Sequence, residues 1–409
     1  MTNTVNNVKD GPGLFAKGIA QTLKDNLVFC AQVDKADPSE FDGKNGFKAG
    51  DTIYTSIPPR FTVTEDSLDI TSTQQDITEE KAALTLNKTA TIGMNLDSLE
   101  LATDVDVKQA LKRFGMPAAE SIAQNIEQRC LEIASDAVFN SVGTAGSNQF
   151  TTKDILNAKT KLDQNLCPGA NRKLLMSSAA SADAVDARKG LFTQSKGEAE
   201  AGSIGRADGF DWYQNELVNT HTNGNDVVFE VRTTVSTEGQ STLVVEALAT
   251  TTGTVTKGTV FTIDTVYDVH PITKETTSRL KQFVVTADAT ADGSGYATLS
   301  ISPAIYTSAS AGLQNVSAFP ADGDSITPVG SASTAYEQGL AYHPSAFKMV
   351  TVPLVQPNGA DLVATETVDG ITVNIVRDFD VLTRKFITRL DVLYGFDPVR
   401  EEWACRITA

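Results

Sequence analysis

Histidine is nearly absent from this 409-residue sequence: His221, His270 and His343 are all there is. No two of them stand at His-x-x-His or similar ligand spacing, so each reads as a loop or strand-end residue, and neither a metal site nor a cofactor is expected. The four cysteines, Cys30, Cys130, Cys167 and Cys405, lie far apart and form no C-x-x-C pair. Two sit inside apolar patterns, which points to reduced, packed thiols. No apolar run approaches the roughly eighteen residues of a membrane-spanning helix. The stretch Met1 to Gly11 is polar rather than charged-then-apolar, so a soluble chain without an export signal is expected. Basic residues are outnumbered, 34 to 51, giving a net charge of −17. Such acidity argues against holding nucleic acid through phosphate contacts and favours solubility at high concentration.

Enzymatic signatures are equally thin. In GSIGRADG, Gly202, Gly205 and Gly209 miss the G-x-G-x-x-G spacing and follow a loop, and no P-loop lysine occurs. The carboxylates Glu79-Glu80, Glu401-Glu402 and Asp378 with Asp380 read as solvated or turn acids rather than an acid/base dyad. No catalytic residue is predicted.

What is present begins with one long helical pattern, Pro117 to Val142. Ala119, Ile122, Ala123, Ile126, Cys130, Ile133, Ala134 and Ala137 recur at three- and four-residue steps. Glu120, Gln124, Glu127, Gln128, Glu132 and Asp136 fill the wet side. Pro117 suits a first turn and Gly143 a left-handed stop, and the helix would run about 39 Å. With 41% hydrophobic content the chain can bury two or three domain cores.

Ahead of this spine, Leu14, Phe15, Ile19, Leu23, Leu27 and Val28 form a short amphipathic helix, an arm with too few neighbours to be a core by itself. From Thr52 the runs TIYTSIPPRFTVT, DITSTQQDIT and ALTLNKTATIGMNL read as extended strands, and Pro58-Pro59 keeps them out of a central sheet. The expectation is a projecting β-hairpin whose Ile57, Phe61, Val63, Ile70 and Ile77 want a partner surface. Beyond the spine, Thr151 and Asp154 suggest a capping box opening a helix with Ile155, Ala158, Leu162 and Leu166 on one side, stopped by Pro168-Gly169. RKLLMSS from Arg172 reads as a buried strand, ASADAVDARKGLF as a helix, and IGRADGFDWYQNELV as a Gly-rich turn entering a strand.

At Thr222 the composition shifts to Thr, Val, Gly and Asp, and no helical period survives until about Ser333. Five strand candidates, DVVFEVRTTV, STLVVEALAT, GTVFTIDTVYDV, LKQFVVTADAT and YATLSISPAI, predict a self-contained barrel or sandwich inserted in another domain. The segment LAYHPSAFKMVTV and the strands ITVNIVRDF, VLTRKFITRLDVLYG and EWACRIT return to the host body.

The collinear order of the spine, GSIGRADGFDWYQNELV, GTVTKGTVFTIDTVYDVHP, LKQFVVTA, DGSGYATLSISPAI, AYHPSAFKMV and RLDVLYGFDPVREEWACRI resembles the coat proteins of tailed bacteriophages related to the P22 coat protein. The resemblance covers nearly the whole chain. It implies an α+β capsid fold of the HK97 type, with an N-terminal arm at 1–50, an E-loop at 51–93 and a peripheral domain at 94–143 and 369–409 around spine helix 117–142. An axial domain would take 144–221 and 334–368, and an inserted β-barrel 222–333. It further implies a non-enzymatic major capsid protein that self-assembles into an icosahedral shell of hexamers and pentamers around double-stranded DNA. Scaffolding and portal proteins would be its partners, with no membrane and no sequence-specific DNA contact. The virion would be its location, after assembly in the host bacterial cytoplasm.

Intersubunit candidates are Leu14, Phe15, Ile19, Leu23, Leu27, Ile57, Arg60, Phe61, Val63, Ile70 and Ile77. The small, polar loop from Gln194 to Gly205 and the Thr- and Ser-rich E-loop depart from the family pattern. Lys81, Lys88 and Asn87 give no specific basis for a covalent cross-link, and none is expected. The alternative is a surface-layer or adhesin-type structural protein, suggested by the Thr/Val/Gly-rich insertion alone, with an enzyme carrying a lectin-like β-domain weaker still.

Overall fold

The computed structural model describes residues 11–35, 52–57, 80–97, 111–147, 149–186, 205–307, 313–354, 357, 359–360, 362–382 and 385–409. The chain forms two compact units. One takes residues 1–54, 83–130 and 348–397, the other 55–82, 131–347 and 398–409.

The first unit is built on a sheet of β-branched strands. Leu362–Val368, Ile371–Asp380, Lys385–Pro398, Phe347–Val352 and the short Asp34–Lys35 lie in that order, and Lys88–Asp97 also pairs with Lys385–Pro398. Register places Asn374 opposite Asp391, Val376 opposite Arg389 and Asp380 opposite Lys385. Because side chains alternate along a strand, these residues share one face, and Val373, Ile375 and Leu390 bury the other half of the alternation.

The arm helix Gly11–Asn26 packs on Leu362–Val368 and Ile371–Asp380, and Ala16, Ile19, Ala20, Leu23 and Leu27 are buried there within the chain. Ile19, Leu23 and Leu27, expected at contacts with other subunits, are thus covered within the single chain. Their neighbours come from the far end of the sequence, which a count of local neighbours misses. Leu14 and Phe15 belong to the same helix. Strand Thr52–Ile57 pairs with Glu80–Thr85, so the expected hairpin has its base; Ile57 ends that strand, and Arg60, Phe61, Val63, Ile70 and Ile77 lie outside the described residues.

The spine helix spans Met116–Ala137 and follows a π-turn at Leu111–Gly115. Ala119, Ile122, Ala123, Ile126, Cys130 and Ala134 are buried as the periodicity requires, whereas Ile133 and Ala137 are only partly covered. The helix stops short of Val142, because Ser141–Gly143 is a strand running parallel to the C-terminal strand Ala404–Thr408. Gly143 does adopt positive φ, +97°, but it serves the sheet and not a helix end: a Cβ there would stand 2.2 Å from the Thr408 carbonyl oxygen.

The second unit contains a sheet and a barrel. The sheet runs Ser141–Gly143, Ala404–Thr408, Gln338–Tyr342, Lys173–Met176, Phe210–Gln214 and Arg206–Ala207. Helix Thr152–Gln164 opens with the expected capping box between Thr151 and Asp154, and its Ile155, Ala158 and Leu162 pack with Leu174, Phe210, Cys405 and Ile407. It ends at Gln164, and Leu166 just beyond takes positive φ, before Pro168 is reached.

The barrel closes through Phe229–Val231, Gln240–Glu246, Ala297–Ile305, Thr276–Val285, Val260–Val269 and Ser325–Pro328. Phe261, Ile263, Phe283 and Val285 point inward as their alternation predicts, and the two Phe rings stack at 5.8 Å. The sixth strand, Ser325–Pro328, is four residues ending in proline, too short to signal itself in the sequence, yet it closes the sheet.

Two boundaries differ from the sequence reading. Residues 398–409 belong with the second unit, since Ala404–Thr408 pairs with Gln338–Tyr342 and Ser141–Gly143. Residues 348–368 belong with the first, where Leu362–Val368 forms a hairpin with Ile371–Asp380.

Candidate functional site

No cluster of three or more His, Cys, Asp or Glu side chains suited to a metal occurs among the described residues. The histidines serve local structure. His270 Nδ1 accepts the N–H groups of Ile272 and Thr273 in a turn, and His343 Nδ1 accepts Ser345 N–H at 3.2 Å. His221 is buried edge-on to Tyr336, and burial, helped by the Arg406 charge, lowers its pKa to about 4. Asp378 and Asp380 accept backbone N–H groups from Phe379 and Leu382, as turn acids do. Glu401 differs from the solvated acid expected: its carboxylate accepts the Ser302 hydroxyl at 2.5 Å, and desolvation raises its pKa to about 7.

Two arrangements hold the units' own parts in place. In the first unit Glu127, placed on the wet side by periodicity, is 1% exposed. Its Oε1 accepts the N–H groups of Val28, at 3.1 Å, and Phe29, and its Oε2 that of Cys30 at 3.1 Å. The spine thereby supplies the cap for the short helix Phe29–Gln32, whose own Val28 offers no side-chain cap. Desolvation raises the Glu127 pKa, and the three donors oppose that rise.

In the second unit Arg406 is 1% exposed and ties three segments together. Its Nε donates to the Val138 carbonyl at 2.9 Å, just past the spine, and Nη1 to the Gly258 carbonyl at 2.8 Å, at the entry to barrel strand Val260–Val269. Beside it Lys257 pairs with Asp136 at 3.0 Å. The Gln282 amide clasps Ser141 in both directions, at 3.2 and 2.8 Å, and Phe139 packs on Val260 and Val284. The barrel is therefore held to its sheet by buried polar contacts as well as apolar ones. Sequence reasoning placed Arg406 in a strand but had no signal for this role, because a lone arginine in an apolar strand does not reveal its partners.

One surface of the first unit remains open. On the sheet face carrying Asn374, Val376, Arg389 and Asp391, a cleft of about 280 Å³ is lined also by Leu354, Pro357, Val363 and Thr365. Asp391 accepts Thr91 Oγ1 at 2.6 Å and pairs with Arg389 at 2.7 Å. At the turn of the same hairpin Val381 and Leu382 are 77% and 94% exposed, the two highest values among the described large apolar residues. Chemistry at these places is limited to packing and hydrogen bonding.

Residues 218–404 match the family described as P22 coat protein, gene protein 5. No curated protein matches the chain. Among solved structures it is similar to the capsid of Ralstonia phage GP4, at 8% identity over 92% of this chain and 86% of that one, TM-score 0.46. It is likewise similar to a structure of Mycobacterium phage Che8, at 12% identity over 93% and 90%, TM-score 0.43. The CUS-3 coat protein I-domain aligns at 26% identity over 26% of this chain and 97% of its own length, TM-score 0.20.

Proposed function

We propose that this chain, a phage major capsid protein whose residues 218–404 carry the P22 coat protein pattern, builds its shell through an HK97-type arrangement of hexamers and pentamers. The observation that carries the reading is the family match itself, which takes in the whole barrel and both hairpin strands of the open sheet. A coat family is structural, in keeping with a chain predicted to have no catalytic residues. The chain forms part of the virion.

The finer assignments follow from this. Residues 58–79, with Arg60, Phe61, Val63, Ile70 and Ile77, act as an E-loop and bury their apolar side chains against neighbouring copies. Leu14 and Phe15 contribute at the start of the arm. The barrel acts as an insertion that helps the chain fold and sets subunit geometry, supported by its own core of Phe229, Leu243, Phe261, Phe283 and Leu299. A scaffolding protein and a portal protein take part in assembly in the host cytoplasm. Double-stranded DNA fills the shell without specific contacts, since a net charge of −17 gives a wall to which phosphates do not adhere.

Negative-stain microscopy and light scattering of the purified chain, alone and with a scaffolding protein, test the reading. Polyhedral shells or capsomer rings are expected. A chain that stays monomeric across concentration and salt, with and without scaffold, would overturn it.

A further inference from the structure

We propose that Cys30 and Cys130 form an oxidisable pair that a small peroxide converts to an intramolecular disulfide, stapling the segment after the arm helix to the spine. The proposal concerns a single chain and stands apart from the shell reading. Both cysteines lie in the first unit and are fully buried. Glu127 and Cys130 stand one turn apart on the spine, on one face of the helix. The Glu127 carboxylate accepts the Cys30 N–H at 3.1 Å, which brings Cys30 against that same face. There the Cys30 thiol meets the Cys130 thiol and the Glu127 carboxylate. The other two thiols are engaged locally: Cys167 Sγ donates to the Pro168 carbonyl at 3.6 Å and Cys405 Sγ to that of Arg406 at 3.5 Å.

Burial and the neighbouring Cys130 thiol push the Cys30 thiol above its ordinary range. Little thiolate is present, so the pair stays reduced while a chain folds in a reducing compartment. Both sulfurs are sealed from bulky disulfide reagents. Peroxide is uncharged and near the size of water, and local opening of the four-residue helix Phe29–Gln32 admits it. The Cys30 sulfur attacks one peroxide oxygen, forming an S–O bond as the O–O bond breaks, and the departing hydroxide leaves as water with the thiol proton. The Cys130 sulfur then forms the S–S bond as the S–O bond breaks, and the second oxygen leaves as water with the second proton. The two sulfurs give up two electrons and the peroxide takes them. The disulfide closes a loop of roughly 100 residues, a length at which a cross-link strongly restricts the unfolded chain.

The test treats the full-length wild-type chain with hydrogen peroxide, blocks the remaining thiols and maps the peptides without reduction. A peptide linking Cys30 to Cys130 is expected, with Cys167 and Cys405 still free, no dimer on a non-reducing gel, and full reversal by dithiothreitol. The oxidised chain should melt at least about 4 °C above the reduced one, and Cys130→Ala treated alike should gain nothing. Cys30 and Cys130 recovered as free thiols, or as sulfinic acids without a linked peptide, would overturn the proposal. So would an unchanged melting temperature in a chain that carries the link. The peptide map uses no variant, so it decides the matter even if Cys130→Ala fails to fold. None of these outcomes touches the shell reading.

Discussion

The barrel and the open sheet use the same kinds of strand, rich in Val, Ile, Thr and Phe, and end in opposite states. The barrel closes on itself, so Phe261, Phe283, Leu243 and Leu299 are shut away and its strands are hydrogen-bonded around the ring. The first unit's sheet buries one face under the arm helix and leaves on the other a cleft, an exposed Ile387 and a bare apolar tip. Closure answers every strand's needs within one chain; an open face defers them to another. In the shell subunit proposed above, the first condition suits folding and the second suits assembly.

The largest expected effect separates the two regions by stability. Phe283→Ala should cost about 3–5 kcal/mol through lost transfer energy and a cavity, whereas Leu382→Ser should stay within about 0.5 kcal/mol. Urea denaturation midpoints of the two variants check this, and equal losses would erase the distinction. Next comes the junction that holds the barrel to its sheet. Arg406→Met should cost about 2–4 kcal/mol, since the carbonyls of Val138 and Gly258 lose their charged donor inside the protein. A variant that melts like wild type would show that the apolar contacts of Phe139 suffice.

A smaller effect concerns pH. The folded-state pKa of Glu401 is raised to about 7, so its contribution is fully present below the unfolded value near 4.5 and lost as pH rises to about 7. For His221, lowered to about 4, the contribution is present above 6.5 and lost as pH falls toward 4. The two slopes oppose each other between about pH 4.5 and 6.5. Glu401→Gln can still accept the Ser302 hydroxyl and should gain about 1–2 kcal/mol at pH 8, below the full desolvation cost because the side chain keeps some contact with water. Its stability should then fall steadily on acidification, which thermal melts across pH 4–8 would reveal. The smallest expected change is Thr151→Ala, about 1 kcal/mol from the lost cap, read by the same melts.

Much of the barrel was legible because alternation at Phe261, Ile263, Phe283 and Val285 is a local signal that closure then satisfies. The spine's buried stripe was legible for the same reason. What the sequence could not show depends on residues distant along the chain. Glu127 looked solvent-facing because periodicity cannot foresee that Val28, Phe29 and Cys30 bring three N–H groups to it. Ile19, Leu23 and Leu27 looked unsatisfied because the strands that cover them lie beyond residue 360. Ser141–Gly143 continued a helical pattern until the C-terminal strand offered it a ladder. The open face escaped notice altogether, since Val381 and Leu382 in a strand-like run resemble any buried pair.

Hydroxyl-radical footprinting of the free subunit and of the assembled shell tests most directly whether the open sheet is reserved for other copies. The side chains of Val381, Leu382 and Ile387 should lose most of their reactivity on assembly, while Phe261 and Phe283 in the barrel core stay unreactive in both states. Closed shells in which these three residues react as they do in the free subunit would contradict the account.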